Sequence, residues 1–307
     1  MNKVVLIGCG NVGMAYAYSL VIKKVNVDEL VLIDINENKA KGEALDLSHA
    51  SASEGNSVKI YAGSYKDCDN ASIICLCAGR NQNIGETRQD LIGKNYKVFE
   101  SIIKEIKKTK FNGIFLVATN PLDTMTYITQ KLSGFEPSKV IGSGTVLDTS
   151  RLRNIIANKL NINTRNVHAY VLGEHGDTEF IAWENALIGA NNVENYFSKK
   201  ERQEILDNVR NSAYEIINNK GNTAYGIGTC LTLITKSIFN NEKLIYTVSC
   251  YDLEQGIYYA CPAVIGKNGV ERIMPVNLSK QEQKQLSISI KSIKDNIKGI
   301  KWKYQIR

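Results

Sequence analysis

The stretch Lys3-Val-Val-Leu-Ile-Gly-Cys-Gly-Asn-Val-Gly13 decides the fold of this chain. Its apolar start, Lys3–Ile7, predicts a buried strand, and the residues Met14–Leu20 after it predict a helix. In the G-x-G-x-x-G between them, the first glycine permits a tight turn, the second lets a pyrophosphate approach the backbone, and the third lets helix and strand pack closely. Free N–H groups at a helix start favour anions. The sequence therefore predicts a dinucleotide-binding turn made of Gly8, Gly10, Asn11, Val12 and Gly13.

A second predicted strand, Glu29–Ile33, ends next to Asp34, about 20 residues after the glycines, as the dinucleotide fingerprint requires. The Asp34 carboxylate can accept hydrogen bonds from an adenosine ribose and would repel a 2′-phosphate, so it favours NAD over NADP. Two alternatives stay open at this point. A methyltransferase shares a glycine-rich first turn and an acidic strand end, and Asp34 can also be a simple strand-end cap.

The first half of the chain alternates apolar strands with amphipathic helices, which is typical of a doubly wound parallel sheet of Rossmann type. The further strands are expected at Ser57–Tyr61, Ser72–Cys77, Gly113–Ala118 and Lys139–Gly142. Between the fourth and fifth strands, isoleucines and Phe99 recur at helical spacing. We place this first domain at residues 1–143.

Residues 144–307 predict a second, mixed α+β domain. Capping boxes at Ser198 and Ser279 announce two helices, and strands are expected at Leu244–Cys250 and Ile257–Cys261 before a hairpin turn at Lys267-Asn-Gly269. Spacing places Ile205, Val209 and Ile216 on the inner face of the first of these helices. Thr223 and Ile227 are expected one turn apart in the helix that follows.

Composition excludes several classes of protein. Lys and Arg number 38 against 31 Asp and Glu, a net charge of +7, but no basic tract interleaved with aromatics predicts nucleic-acid binding. No apolar run approaches the roughly 20 residues that a membrane helix needs, and no leader peptide is recognised. The 7 cysteines, an odd number lying mostly in apolar runs, predict free thiols rather than disulfides or a metal site. We expect a cytoplasmic protein with a small anionic substrate.

The best candidate for proton transfer lies in Val171-Leu-Gly-Glu-His-Gly-Asp-Thr178. Imidazole, with an ordinary pKa of roughly 6.5, is the side chain best matched to exchanging protons near neutral pH. The glycines on both sides of His175 leave room for a ligand beside its ring. Taken alone, a histidine in a loop is usually just a surface or capping residue.

Three further segments carry candidate polar groups. Arg88 ends the polar loop Ala78–Arg88, which follows the fourth strand at the end of the sheet where ligands bind, and could bring a positive charge to a carbonyl. Alternatively it pairs with Glu86 or caps the next helix. Asn120 follows the fifth strand, as a turn former or as a partner of the nicotinamide. Asp148 and Arg151 share one helix face, so they either orient an imidazole and grip a carboxylate or pair with each other.

Together these segments resemble the L-lactate dehydrogenases of bacterial type, in the lactate/malate dehydrogenase superfamily, over nearly the whole chain. The resemblance is carried by the glycine-rich turn and by Gly85-Glu-Thr-Arg88, Thr119-Asn-Pro121, Leu147-Asp-Thr-Ser-Arg151, Gly173-Glu-His-Gly-Asp177 and Gly221-Asn-Thr223, in this order. It implies NAD as cofactor, pyruvate and lactate as substrates, and a cytoplasmic homotetramer of fermentative glycolysis.

The resemblance also implies a role for each matching residue. His175 would exchange the proton, with Asp148 as its orienting partner, and Arg88 would polarise the substrate carbonyl. Arg151 would hold the substrate carboxylate. The remaining implied contacts are Asn120 and Thr223 with the substrate, and Gly79 and Asn120 with the cofactor.

Substrate choice is expected to depend on Gln82. Malate dehydrogenases resemble this family but carry arginine at the matching position, where it pairs with the second carboxylate of oxaloacetate. A neutral glutamine leaves that charge unpaired, which favours pyruvate. Arg80 and Ile84 depart from the family pattern, and Arg80 is close enough in sequence to replace the missing arginine.

Arg153 and His168 match positions that bind fructose 1,6-bisphosphate in some bacterial members, so the resemblance also suggests an effector site. The alternatives to a lactate dehydrogenase are a malate dehydrogenase, a dehydrogenase of branched 2-hydroxy acids, and a dinucleotide-binding protein without catalysis. The complete set of polar site residues favours an enzyme.

Overall fold

The computed structural model describes residues 1–80 and 86–300 of the chain. The first half of this described part forms β1 (Lys3–Ile7), α1 (Asn11–Ile22), β2 (Glu29–Ile33), α2 (Glu37–Ser53), β3 (Lys59–Ala62), β4 (Ile73–Leu76), α3 (Arg88–Ile106), β5 (Ile114–Val117), α4 (Leu122–Ser133) and β6 (Val140–Gly142). The second half forms α5 (Val146–Leu160), β7 (Val167–His168), β8 (Val171–Leu172), β9 (Phe180–Ile181), β10 (Leu187–Ile188), β11 (Asn191–Asn192), α6 (Lys199–Lys220), α7 (Tyr225–Phe239), β12 (Leu244–Asp252), β13 (Ile257–Gly266), β14 (Gly269–Ile273) and α8 (Lys280–Lys298).

The main sheet has the order β14-β13-β12-β6-β5-β4-β1-β2-β3. Its six strands from the first half are parallel to one another, which confirms the predicted doubly wound sheet. The chain changes direction along the sheet between β1 and β4, and ligands of such sheets bind at the carboxyl ends of the strands beside this switch point. The glycine-rich turn follows β1, and the loop leading to Arg88 follows β4.

Both faces of the parallel sheet are covered. Val4 and Leu6 of β1 belong to one apolar cluster, whereas Val5 and Ile7 belong to another on the opposite face. This explains why β1 is a continuous apolar run rather than an alternating one. A third cluster, which includes Leu152 and lies between α5 and α6, forms the core of the second half.

The sheet continues from the first half of the chain into the second. Ser249 of β12 pairs with Gly142 of β6 in antiparallel fashion, and β13 and β14 follow as an antiparallel hairpin. A Cβ atom on Gly142 would lie 2.7 Å from the Cβ atom of Ser249, so glycine permits this approach. The predicted hairpin turn at Lys267–Gly269 is confirmed.

Two expectations for the second half are wrong. Ile216 is 36 % exposed, because α6 is buried through Ile205 and Val209 of its first half and its last turns extend beyond the core. Thr223 lies outside α7, because Gly221 ends α6 with a φ of +86° and Ala224 is not helical, so α7 begins only at Tyr225. Within residues 1–80 and 86–300, no helix is long and apolar enough to cross a membrane.

Candidate active site

The glycine-rich turn has the geometry that its sequence predicts. Gly8 has a φ of +104°, and a Cβ atom there would lie 2.4 Å from the backbone nitrogen of Ala78. A Cβ atom on Gly13 would lie 2.1 Å from the carbonyl oxygen of Gly8, so α1 packs against the turn only without a side chain. At Gly10, by contrast, a Cβ atom would meet no atom within 4 Å. The start of α1, with exposed Asn11, is therefore open to a ligand.

Asp34 connects the end of β2 to this turn. Its carboxylate accepts hydrogen bonds from the backbone N–H groups of Cys9, at 2.7 Å, and Asn36, at 2.9 Å. The side chain is only half-buried, which leaves acceptor capacity for a hydroxyl group. Asp34 is thus a strand-end cap, and its position also suits a ribose.

A buried amide, Asn95 of α3, holds the beginning of the loop that follows β4. Its Oδ1 accepts a hydrogen bond from Arg80 N at 2.8 Å, and its Nδ2 donates to the carbonyl oxygen of Asn120 at 2.8 Å. Gly79 lies against Thr119, where a Cβ atom would be 2.5 Å from the threonine Cγ2. Gly79, Arg80 and Asn120 therefore share one edge of the sheet, whereas Gln82 and Ile84 lie outside the described residues.

His175 lies between β8 and β9, and its ring is hydrogen-bonded to Asp148 of α5. The distance from His175 Nδ1 to Asp148 Oδ2 is 2.7 Å, and the side chains are 27 % and 2 % exposed. The backbone N–H of His175 donates to buried Asp123 at 2.8 Å, and Ser249 Oγ donates to the other oxygen of Asp123 at 2.6 Å. His175 is therefore fixed by two hydrogen bonds, one from its backbone N–H and one at its ring Nδ1. The other ring nitrogen, Nε2, remains for a ligand.

Neighbouring charges set the protonation state of this pair. Burial alone would lower the pKa of His175, but the charge of Asp148 and its hydrogen bond, together with Glu179 and Asp123, raise it to about 9. Burial would raise the pKa of Asp148, but His175 and Arg151 hold it below its ordinary value. At neutral pH the pair is therefore an imidazolium beside a carboxylate.

Arg88, the first residue of α3, points toward the His175 loop. Its Nη2 lies 2.6 Å from Oε1 of Glu174, which is buried and also accepts a hydrogen bond from Thr178. A Cβ atom on Gly176 would lie 3.5 Å from both terminal nitrogens of Arg88, so the guanidinium lies within ordinary contact distance of this loop. Arg88 thus pairs with Glu174, whereas the carboxylate of Glu86 contacts Lys94. Thr87, not Arg88, caps the helix.

Arg151 completes the charged cluster. Its Nη1 lies 2.8 Å from Asp148 Oδ1, so the pairing that the sequence left open is formed, and it is buried rather than superficial. Thr223 is half-buried just before α7. Gly226 of that helix packs on Leu147, where a Cβ atom would lie 2.7 Å from Cδ1, so the start of α7 adjoins the start of α5.

The two residues of the suggested effector site lie on neighbouring segments. Arg153 Nε donates to the carbonyl oxygen of Ala169 at 3.2 Å, and its guanidinium lies 5.3 Å from the ring centre of Tyr170. Exposed His168, next to Ala169, pairs with Leu187 in a small sheet.

Several site residues were not foreseen from the sequence: Asn95, Asp123, Glu174, Glu179 and Arg210. One oxygen each of Asp148 and Glu179 and one ring nitrogen of His175 lie within 4.8 Å of one another. These are donor types that also bind metal ions, but the two oxygens of Asp148 already contact His175 and Arg151. The arrangement suits proton transfer beside an anion-binding arginine. The 7 cysteines are free thiols, and six of them are buried.

The chain matches two family models. One, the lactate/malate dehydrogenase NAD-binding domain, matches residues 2–142, and the other, the lactate/malate dehydrogenase alpha/beta C-terminal domain, matches residues 145–303. L-lactate dehydrogenase 1 of Peribacillus psychrosaccharolyticus is 45% identical over 305 residues, covering 96% of each chain. L-lactate dehydrogenase 2 of Bacillus anthracis is 46% identical over 307 residues, covering 97% of this chain and 98% of the relative.

Solved structures agree with these matches. MGS-M5, a lactate dehydrogenase from a Medee basin deep-sea metagenome library, superposes with a TM-score of 0.93 at 45% identity, covering 97% of this chain and 98% of that one. The ligand-bound minor L-lactate dehydrogenase of Enterococcus mundtii gives a TM-score of 0.93 at 40% identity, covering 98% and 99%.

Proposed function

Because the chain belongs to the lactate/malate dehydrogenase family, we propose that it is an NAD-dependent L-lactate dehydrogenase, which interconverts pyruvate and L-lactate. The observation that carries the proposal is the buried His175–Asp148 pair, with Arg88 and Arg151 beside it. The curated relatives that support it carry the name L-lactate dehydrogenase.

The glycine-rich turn and the end of β2 fit a dinucleotide. The open space at Gly10 and the start of α1 would receive the pyrophosphate. Asp34 would accept a hydrogen bond from the adenosine ribose, and Gly79 and Asn120 would lie toward the nicotinamide end. NADH supplies the hydride that reduces the carbonyl carbon of the substrate.

The residues of the second half bind the substrate and move the proton. Protonated His175 donates from Nε2 to the carbonyl oxygen of pyruvate, while Asp148 holds the ring by Nδ1 and stabilises its charge. Arg151 pairs with the substrate carboxylate. Thr223 lines the pocket. In lactate oxidation neutral His175 takes the proton back.

Arg88 acts at the carbonyl. It leaves Glu174 to place its positive charge beside the developing oxygen anion, which a fixed cation stabilises. Asn120 adds a hydrogen bond near the reacting carbon. Gln82, as its residue type suggests, favours the methyl group of pyruvate over the second carboxylate of oxaloacetate.

We propose further that the enzyme is a cytoplasmic homotetramer of fermentative glycolysis and that its domains meet at residues 143 and 144.

We also propose an effector site at Arg153 and His168 for fructose 1,6-bisphosphate. Titrating the sugar bisphosphate should lower the half-saturating pyruvate concentration, and an unchanged value would remove this last proposal.

The experiment that tests the activity is a substrate panel. NADH oxidation is followed with pyruvate, oxaloacetate and branched 2-oxo acids, and pyruvate is expected to give the highest kcat/KM. A higher value with oxaloacetate or with a branched acid would make the protein a malate dehydrogenase or a branched 2-hydroxy acid dehydrogenase. NADH binding without turnover of any member would identify a non-catalytic dinucleotide-binding protein.

A further inference from the structure

A second buried carboxylate lies beside the His175–Asp148 pair, and neither the proposed mechanism nor the family resemblance assigns it a role. Glu179 is 2 % exposed. One of its oxygens lies within 4.8 Å of both an Asp148 oxygen and a His175 ring nitrogen. Charges at this separation in a buried site interact strongly enough to change each other's protonation.

The backbone of Glu179 is fixed on both sides. Its N–H donates to the carbonyl oxygen of Gly176 at 3.2 Å, and its carbonyl oxygen accepts a hydrogen bond from Nη2 of Arg210 on α6. The preceding residue, Thr178, accepts a hydrogen bond from Ser289 of α8 at 2.6 Å. The His175 loop, α6 and α8 therefore fix the backbone from which the Glu179 side chain extends.

The charges that act on this carboxyl group come from α5, α6 and the His175 loop. Asp148 repels its negative charge, whereas His175, Arg210 and Arg151 attract it. Burial and Asp148 prevail, and the pKa of Glu179 is raised to about 8. Asp123 is the further acidic group near His175. Because His175 and Glu179 lie within 4.8 Å of one another, the protonation of each affects the other.

We propose that Glu179 is a positioning residue of the proton relay, whose negative charge keeps His175 protonated to higher pH than Asp148 alone would. This inference rests on the proposed function only in linking the protonation of His175 to turnover. While Glu179 is ionised it stabilises the imidazolium, and once the charge is removed the imidazolium loses that support. The pH above which pyruvate reduction fails is therefore set by two carboxylates rather than one.

The test compares Glu179→Gln with the natural full-length protein. Labelled histidine rings are followed by NMR between pH 6 and 10, and the His175 signal among the 3 histidines is identified by its loss in His175→Gln. We expect the titration midpoint of His175 to fall by about one pH unit in Glu179→Gln. The pH at which kcat/KM for pyruvate declines on the alkaline side should move lower by the same amount.

Two control variants separate charge from packing. Glu179→Asp keeps the charge, so its midpoint should remain close to that of the natural protein. Glu184→Gln removes an exposed carboxylate five residues along the chain and should change neither the midpoint nor the alkaline decline of kcat/KM. The proposal is overturned if the His175 titration midpoint is unchanged in Glu179→Gln. It is also overturned if Glu179→Asp lowers that midpoint as much as Glu179→Gln does.

The titration curve of the natural protein gives a further measurement, once His175→Gln has identified the His175 signal. Because His175 and Glu179 lie within 4.8 Å of one another, the His175 signal should also respond to the ionisation of Glu179 and titrate in two steps. If the midpoint falls in Glu179→Gln but the alkaline decline of kcat/KM stays in place, the coupling stands, and His175 is not the proton donor of the reaction.

Discussion

At the scale of single residues, the site depends on a pair of charges that stabilise each other in a place where either alone would be unstable. Asp148 is 1 % exposed and contacts both His175 and Arg151. A buried carboxylate without cationic partners would take up a proton, and a buried imidazolium would lose one. Removal of one member should therefore affect the other.

The Asp148→Asn variant tests this dependence. The amide carries no charge, so the pKa of His175 should fall toward or below its ordinary value and less imidazolium should be present at neutral pH. We expect kcat/KM for pyruvate to fall by about 100-fold or more, within the range that positioned acid–base groups contribute. Asp46→Asn, an exposed change on α2, is the matched control and should have no effect. Equal activity in the two variants would contradict the assigned role of Asp148.

The pH dependence of the natural enzyme should differ between the two directions. Pyruvate reduction needs protonated His175, whose pKa is raised to about 9, so kcat/KM should be constant near neutrality and decline above about pH 9. Lactate oxidation needs the neutral ring and should increase over the same range. Steady-state rates from pH 6 to 10 check both directions. A reduction rate that already declines near pH 6.5, the ordinary pKa of histidine, would be inconsistent with this environment.

Distinctive residue types led to some of the candidate site residues, whereas residues that hold them in place were missed. His175, Asp148 and Arg151 could be selected because each belongs to a short motif of the needed chemistry. Glu174 and Asn95 could not, because their partners Arg88 and Asn120 are distant in sequence and come together only in the fold.

At the scale of elements, the strand-turn-helix unit of β1 and α1 depends on close packing of backbone. Gly13→Ala would place a Cβ atom 2.1 Å from the Gly8 carbonyl oxygen, and the helix must shift to relieve it. We expect a loss of about 1–3 kcal/mol of unfolding free energy, as for overpacked sites, together with weaker NADH binding. Urea unfolding and NADH titration measure the two effects.

Gly42→Ala is the matched control for that variant. Gly42 lies within α2, where an added Cβ atom meets nothing within 4 Å, so alanine should increase helix stability by about 0.5–1 kcal/mol. NADH binding should be unchanged. If Gly13→Ala were as stable as Gly42→Ala, the close contact between the turn and α1 would not exist.

Helix and strand centres followed from periodicity, whereas some ends did not. The apolar spacing of α6 continues to Ile216, although the core beneath the helix ends earlier. Thr223 has the correct spacing to Ile227, but the positive φ of Gly221 delays the next helix. Periodicity describes a possible face, and only the neighbouring elements determine how much of that face is buried.

At the scale of the whole molecule, one sheet passes through both halves of the chain. The sequence predicted β12 and β13 as strands but not their place beside β6, because alternation of side chains identifies a strand and not its partner. The His175 loop of the second half consequently lies against α4 of the first half. There Asp123 accepts hydrogen bonds from His175 and from Ser249 of β12.

The proposed tetramer also concerns the whole molecule. Light scattering after size-exclusion chromatography should give a mass four times that of the 34.1 kDa chain. We expect this mass to persist on dilution to assay concentrations. A monomer mass would refute the proposed assembly without affecting the site, whose described contacts all lie within one chain.

The proposed enzyme acts on pyruvate, and we propose that it selects this substrate through Gln82. The most direct measurement is NADH oxidation with pyruvate and with oxaloacetate, using the natural protein and Gln82→Arg side by side. We predict that the natural protein prefers pyruvate and that the substitution shifts preference toward oxaloacetate, because the added guanidinium pairs with the second carboxylate. A natural protein that already prefers oxaloacetate would be a malate dehydrogenase, with Arg80 or another cation in place of the missing arginine.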